Sequence, residues 1–183
     1  AGMGFGSAEA THLLVEALKI AFADRVASTA DPDFVEVPVA QLLDPAYAAE
    51  RRGQIRMDRT QDWGPGVAVH ESDHTTHMTA ADADGWVVAT TQTINNLFGA
   101  RFIVPGTGMI ANNYMNLFDP HPGRANSIQP GKRVTTSMSP MMACQEGKVR
   151  FALGLPGGLR IFPSAMQALV NLLEHGMSLQ EAV

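Results

Sequence analysis

The stretch Thr75-Thr-His-Met-Thr-Ala-Ala-Asp-Ala-Asp-Gly-Trp-Val-Val-Ala-Thr-Thr-Gln-Thr93 decides the fold. Residues Thr76–Ala81 alternate in the period of a strand, and Asp84-Gly85 is a two-residue hairpin signal. Trp86–Thr93 is rich in β-branched side chains, so the segment predicts an antiparallel hairpin. Downstream, Arg101–Val104, Gly108–Ala111, Ser139–Ala143 and Val149–Gly154 are further strand candidates, separated by Gly, Pro and Asn turns. Residues 119–133 read as a long polar loop. Pro163 in a first turn, then Met166, Leu169, Val170 and Leu173, ended by Gly176, predicts a helix. Upstream, Ser7 can cap a helix over 7–25 in which Leu13, Leu14, Ala17, Leu18, Ala21 and Phe22 recur at helical spacing. Residues 30–57 mix short helical pieces with Pro38 and Pro45, and the polar run from Asp58 to Asp73, broken by Trp63-Gly-Pro-Gly66, is a connecting loop. Helices, then antiparallel strands, then helices: the chain reads as α+β, in layers.

Composition narrows the function classes. The chain has 183 residues, 45% of them hydrophobic and 17% charged, against roughly 25% charged in an average domain. That supports a sizeable core and excludes a disordered chain. The net charge of −5 is not offset by any basic stripe, which argues against a nucleic-acid partner. No run approaches the roughly 18 apolar residues of a membrane span. A single cysteine, Cys144, excludes an internal disulfide framework, and its apolar strand context predicts a buried core thiol. The ten methionines read as core filling. The chain opens at Ala1-Gly2-Met3 and closes on a capping box, Ser178 with Glu181, that begins a helix; this reads as a fragment of a longer protein.

Four patterns raise chemistry. His70, His74 and His77 could ligate zinc on one helical face, but they lead into a strand, where His74 and His77 point apart. No metal or cofactor is therefore expected. Gly2, Gly4 and Gly6 precede a helix without a preceding strand or a phosphate-binding lysine, so they read as a turn. Gly154-Leu-Pro-Gly-Gly158 follows a strand and can expose backbone N–H groups of the kind an oxyanion hole needs. Thr75 begins a strand where composition changes from polar loop to sheet. A threonine hydroxyl becomes a useful nucleophile when a free amine on the same residue serves as its base.

Asp73-His-Thr75-Thr-His77-Met with Asp82-Ala-Asp84-Gly85 resembles the start of the small subunit of the γ-glutamyltransferases, which are N-terminal nucleophile hydrolases. The resemblance continues through Thr91-Gln-Thr93-Ile-Asn95, Phe98-Gly99, Gly106-Thr-Gly108, Asn112-Asn113, Pro130-Gly-Lys-Arg133, Thr136-Ser-Met-Ser-Pro140 and Pro156-Gly-Gly158. Upstream, Ser7–His12, Ala23-Asp-Arg25 and Asp31-Pro-Asp-Phe34 are similar to the last part of that family's large subunit. The resemblance implies a four-layer αββα sandwich of which this chain holds part. Residues 1–74 would be the end of the large subunit with a linker, and 75–183 the small-subunit region. It implies cleavage between His74 and Thr75, with Thr75 as nucleophile and base and Thr93 orienting its hydroxyl. Asn95 and Asn113 would serve the substrate's α-amino end, Thr136 and Ser137 its carboxylate, and Gly157 and Gly158 the oxyanion. The rest of the large subunit would be the partner, and the substrate a small γ-glutamyl or related acyl amide.

One position departs from the pattern. Members that use glutathione usually carry an acidic pair after Asn-Asn-x-Met, and here the residues are Asn116 and Leu117. A desolvated ammonium without a counter-ion costs several kcal/mol. An acyl group lacking the amine, such as glutaryl, avoids that cost, so a glutaryl or cephalosporin-type acylase is the alternative. A catalytically silent, unprocessed fragment is the alternative from another class. Periplasmic or secreted placement follows from the resemblance, with the cytoplasm left open.

Overall fold

The structure, a computed structural model, describes residues 2–64 and 74–183. They form two compact units, one holding residues up to 64 with 117–135, the other residues 74–116 with 136–183.

The first unit is built on helix α1 (Ala8–Ser28). The Ser7 hydroxyl accepts from Ala10 N at 3.1 Å, so the expected cap is present, and Thr29 N closes the end on the Arg25 carbonyl. Helix α2 (Val39–Leu42) precedes α3 (Pro45–Gly53), which starts on an Asp44 cap. Tyr47 Oη and Arg51 Nη2 both reach the Asp24 carboxylate, at 3.0 and 3.1 Å, and tie α3 to α1. Glu16 on α1 is a fully buried carboxylate. Its carboxylate accepts from Lys19 Nζ at 2.7 Å and Trp63 Nε1 at 2.6 Å, which holds residues 61–63 against the helix. The Lys19 hydrogen bond, helped by Trp63, keeps the Glu16 carboxyl below its ordinary range despite burial.

Asp31 links two distant motifs. Its side chain is 1% exposed and receives Arg133 Nη2 at 2.6 Å, Arg133 Nε at 3.1 Å and Arg133 N at 2.7 Å. The forked guanidinium geometry suits a carboxylate. Those Arg133 bonds hold the Asp31 carboxyl far below the usual carboxylate range. A depressed folded pKa stabilises the fold above the unfolded value of about 3.9 and ceases to do so as pH falls through the folded one. Asp31→Asn in the full-length protein should therefore lower Tm at pH 7 by about 5 °C or more. The variant should also lose less stability than wild type on acidification below about pH 4. Equal Tm values across that range would show that the pair contributes nothing.

The second unit contains two antiparallel hairpins. Strands β1 (Thr75–Ala81) and β2 (Val87–Thr93) pair in the register Thr75↔Thr93 to Ala81↔Val87. Asp82 Oδ1 braces their turn by accepting from Asp84 N and Trp86 N. Strands β3 (Met141–Gln145) and β4 (Lys148–Leu153) are joined through Glu146 and Gly147, both at positive φ, the geometry of a two-residue hairpin turn. Helix α4 (Ile161–Glu174) buries Ile161, Ala165 and Ala168, and α5 (Leu179–Ala182) carries the expected Ser178–Glu181 capping box.

The structure corrects four expectations. The first helix runs on to Ser28, past residue 25. Arg101–Val104 and Gly108–Ala111 are not strands; they meet through the single bridge Ile103↔Ile110, because Arg101, Gly106 and Gly108 take positive φ and turn the chain. Cys144 is exposed, not buried, because β3 alternates faces and Cys144 shares the exposed face with Met142, two residues before it. Six of the ten methionines, Met3, Met57, Met78, Met109, Met115 and Met142, are exposed rather than core filling.

Candidate active site

Thr75 is the first residue of β1 and stands opposite Thr93, the last of β2. The Asp84-Gly85 turn fixes that register, so the hairpin itself brings the two hydroxyl-bearing residues together. The Thr93 hydroxyl donates to the His74 carbonyl at 3.1 Å and accepts from Asn95 N at 2.8 Å. Thr93 thus holds the carbonyl of the peptide bond that precedes Thr75.

Beyond β2 the chain turns sharply. Asn95 is 5% exposed and left-handed at φ 72°, a conformation asparagine tolerates better than most residues. Its Nδ2 donates to Asn116 Oδ1 at 2.9 Å. Asn113 Oδ1 accepts from Asn96 N at 3.0 Å, and Asn113 N reaches the Ile94 carbonyl. Asn95, Asn113 and Asn116 are therefore brought to one place by side-chain amides. Gly99 has to be glycine here, since a Cβ would overlap the Ala111 carbonyl.

Thr136 Oγ1 accepts from Met138 N at 3.1 Å, and Ser137 is 6% exposed. Gly157 and Gly158 lie beyond the β3–β4 ladder, which ends at Met141↔Leu153, so sheet pairing does not consume their N–H groups. Both have positive φ, 127° and 60°, and lead through the turn Gly158–Arg160 into α4. Leu117 ends the 3₁₀ turn Tyr114–Leu117 and falls in the first unit, where its carbonyl accepts from Asn126 Nδ2 at 2.9 Å. The cleavage-site residue His74 is described; Asp73 and His70 lie outside the described residues. No group of three potential metal-ligating side chains occurs among the described residues.

Two residues make contacts that the sequence reading did not assign to them. His77 Nδ1 lies 2.9 Å from Thr91 Oγ1 and Nε2 lies 3.0 Å from Thr79 Oγ1, so both ring nitrogens are committed to threonines. The ring rests on Gly154 so closely that a Cβ there would fall 2.1 Å from Cε1. His77 therefore fastens the first hairpin to the end of β4, from which the Gly157–Gly158 turn departs. The cross-strand pair His77↔Thr91 was the available signal. The other is Asn116, whose position beside the expected acidic site could have marked it as a partner for Asn95.

Known proteins resemble this chain along its whole length. The γ-glutamyltranspeptidase family model matches residues 1–183. The acylase ACY 1 proenzyme of Pseudomonas sp. (strain SE83) is 68% identical over 99% of this chain and 32% of its own length. The glutathione hydrolase proenzyme of Pseudomonas aeruginosa PAO1 is 40% identical over 100% of this chain and 34% of its own length. The crystal structure of cephalosporin acylase from Bacillus halodurans superposes with a TM-score of 0.83 at 28% identity, covering 96% of this chain and 31% of that one. Mixed helices and antiparallel hairpins define a protein of the α+β class, like these relatives. Within that class, the chain belongs to the γ-glutamyltranspeptidase family. It spans about a third of the length of the curated relatives it matches. No helix among the described residues is long and apolar enough to cross a membrane.

Proposed function

We propose that the full-length protein is an autoprocessing amidohydrolase that cleaves γ-glutamyl or related acyl amides through an ester on Thr75. The observation that carries this reading is the Thr93 hydroxyl hydrogen-bonded to the carbonyl before Thr75. Donation to that oxygen draws electron density from the carbonyl carbon, and the Thr75 hydroxyl beside it is the nucleophile. Attack forms an ester between the His74 carbonyl carbon and the Thr75 oxygen as the His74–Thr75 C–N bond breaks, and the hydroxyl proton passes to the departing nitrogen, which becomes the free Thr75 amine. Water then hydrolyses the ester and releases the Thr75 hydroxyl and the His74 carboxylate. An unperturbed α-amine has a pKa of about 7.7–8.0, so part of it is unprotonated near neutrality and can act as base in later turnovers. On this reading residues 1–74 end the large subunit, 75–183 begin the small one, and the hairpins with α4 are part of a four-layer αββα sandwich. Gly157 and Gly158 would donate to the oxyanion, Thr136 and Ser137 would receive a substrate carboxylate, and Asn95 and Asn113 its amino end.

A second reading concerns the acyl group, and a specific residue favours it. The counter-ion position for an α-ammonium holds Leu117, and the neighbouring amide of Asn116 is already engaged with Asn95. Neutral carbonyl acceptors replace only part of an ion pair. A glutaryl or cephalosporin-type acyl substrate needs no such ion pair, and the 68% identity to an acylase proenzyme supports this reading. The test is kcat/KM of the mature full-length protein on γ-glutamyl and glutaryl anilides. Wild type should show no strong γ-glutamyl preference, and Leu117→Asp should raise the γ-glutamyl to glutaryl ratio roughly tenfold. A strong wild-type γ-glutamyl preference would return the assignment to a glutathione-type hydrolase. Absence of turnover on either anilide would favour the silent fragment.

A further inference from the structure

Gly154, the residue directly after β4, has no room for a side chain. A Cβ there would fall 2.1 Å from His77 Cε1, 2.3 Å from Nδ1 and 2.7 Å from Nε2. Unlike Gly157 and Gly158, Gly154 does not take positive φ, so it is the ring and not the backbone that requires glycine here. The ring cannot swing aside freely. Thr91 Oγ1 holds Nδ1 at 2.9 Å across the hairpin, and Thr79 Oγ1 holds Nε2 at 3.0 Å along β1. Threonine hydroxyls both donate and accept, so the two bonds persist in either tautomer of the ring. A plate pinned at both nitrogens thus rests directly on backbone.

This contact links the two parts of the site that must be held at a fixed distance. Thr75 lies two residues before His77 on the same face of β1, about 7 Å away at the usual strand rise. Gly157 lies three residues after Gly154, within about 11 Å even along a fully extended chain. Pro156 fixes one of the intervening φ angles, so the link passes on a displacement of Gly154 more than it absorbs it. β2 and β4 touch within one compact unit, and His77 on Gly154 is a point where one hairpin bears on the other. A misplacement of about 1 Å in an active site can lower a rate about a hundredfold. A spacer at this point therefore governs turnover without touching substrate.

We propose that the His77 ring, seated on Gly154, sets the distance between the Thr75 hydroxyl and the Gly157–Gly158 N–H groups, which makes His77 a positioning residue of the active site. This rests on the oxyanion role proposed for that turn and names what holds the turn in place. The test measures kcat, KM and Tm of the mature full-length protein on whichever anilide, γ-glutamyl or glutaryl, it turns over faster. Gly154→Ala drives a methyl group into the ring and should lower kcat about 10²-fold, with KM within about threefold of wild type. His77→Ala removes the obstruction, so adding it to Gly154→Ala should restore about tenfold of that loss. His77→Ala alone should lower kcat about tenfold, and His77→Asn, which keeps an atom where Nδ1 stands, should lose less. Since both glycines act through one turn, Gly154→Ala added to Gly157→Ala should cost less than about twofold more. A wild-type kcat in Gly154→Ala would overturn the proposal. So would a loss that His77→Ala does not relieve, a loss in KM alone, or one that adds in full to a fall caused by Gly157→Ala. If Gly154→Ala does not fold, the histidine variants decide: His77→Asn no better than His77→Ala overturns the proposal. Crystal structures of wild type, Gly154→Ala and the double variant give a readout independent of turnover. The Gly157 and Gly158 nitrogens should shift by about 1 Å relative to Thr75 in the single variant and return in the double. If the turn moves and returns in this way while Gly157→Ala keeps its kcat, or while no amide is hydrolysed, the spacer stands and the assigned role of the turn fails. If Gly157→Ala loses kcat but Gly154→Ala leaves the turn in place, the oxyanion role stands and the spacer fails.

Discussion

The full-length protein carrying Thr75→Ala should remain a single chain and should lose amide hydrolysis by about 10⁴-fold or more, the scale seen when a covalent nucleophile is removed. The effect is double because one hydroxyl performs two jobs. In the precursor it attacks the His74 carbonyl, which Thr93 holds at 3.1 Å. In the mature protein it attacks the substrate, with the amine freed by the first reaction as its base. Alanine removes the nucleophile for both steps without disturbing the β1–β2 register, which the Asp82-braced turn sets at the far end of the hairpin. Thr75→Ser should still cleave itself, since the hydroxyl remains. Gel analysis of freshly purified protein reads both outcomes, and a Thr75→Ala sample that still divides at residue 75 would remove Thr75 from the mechanism.

The second large effect is expected at the Gly157–Gly158 turn. Tetrahedral intermediates place negative charge on the former carbonyl oxygen, and one missing donor typically lowers the rate about 10²–10³-fold. Gly157 takes φ 127°, a conformation L side chains rarely adopt, while a Cβ there would meet nothing closer than Arg160 Cβ at 3.9 Å. Gly157→Ala therefore acts on the backbone and not through a clash, turning the peptide N–H groups away from their present directions. The expected result is a fall of about 10²-fold or more in kcat with a smaller change in KM, since the oxyanion exists only beyond the ground state. A kcat within about twofold of wild type, in a variant of normal Tm, would show that this turn does not serve the oxyanion.

Much of the site was legible because it is local. The alternation in β1, the Asp84-Gly85 turn and the β-branched β2 together dictate the pairing of Thr75 with Thr93. The Ser7 cap and the Ser178–Glu181 box were legible for the same reason, each needing only residues three apart. Contacts between distant segments were not. Asp31 and Arg133 are 102 residues apart, and each motif looks like a surface turn until the other is beside it. His77 on Gly154 likewise requires knowing that the first hairpin meets the end of β4. The loop over 101–111 was misread because Phe102, Ile103, Val104 and Ile110 satisfy strand propensity, whereas left-handed Arg101 and two positive-φ glycines override it. Cys144 was misread because the run Met141-Met-Ala-Cys144 is apolar at every position, so composition does not tell which of the two alternating faces is the exposed one.

The central claim is that Thr75 becomes an N-terminal nucleophile that carries the acyl group, and peptide mapping by mass spectrometry tests it directly. Full-length protein would be quenched in acid during turnover of a slow glutaryl amide and digested. The predicted result is a small subunit whose first residue is Thr75, with the mass of one acyl group on that N-terminal peptide and none in Thr75→Ala. An unbroken His74–Thr75 bond in active protein, or an acyl group found on any other residue, would contradict the account.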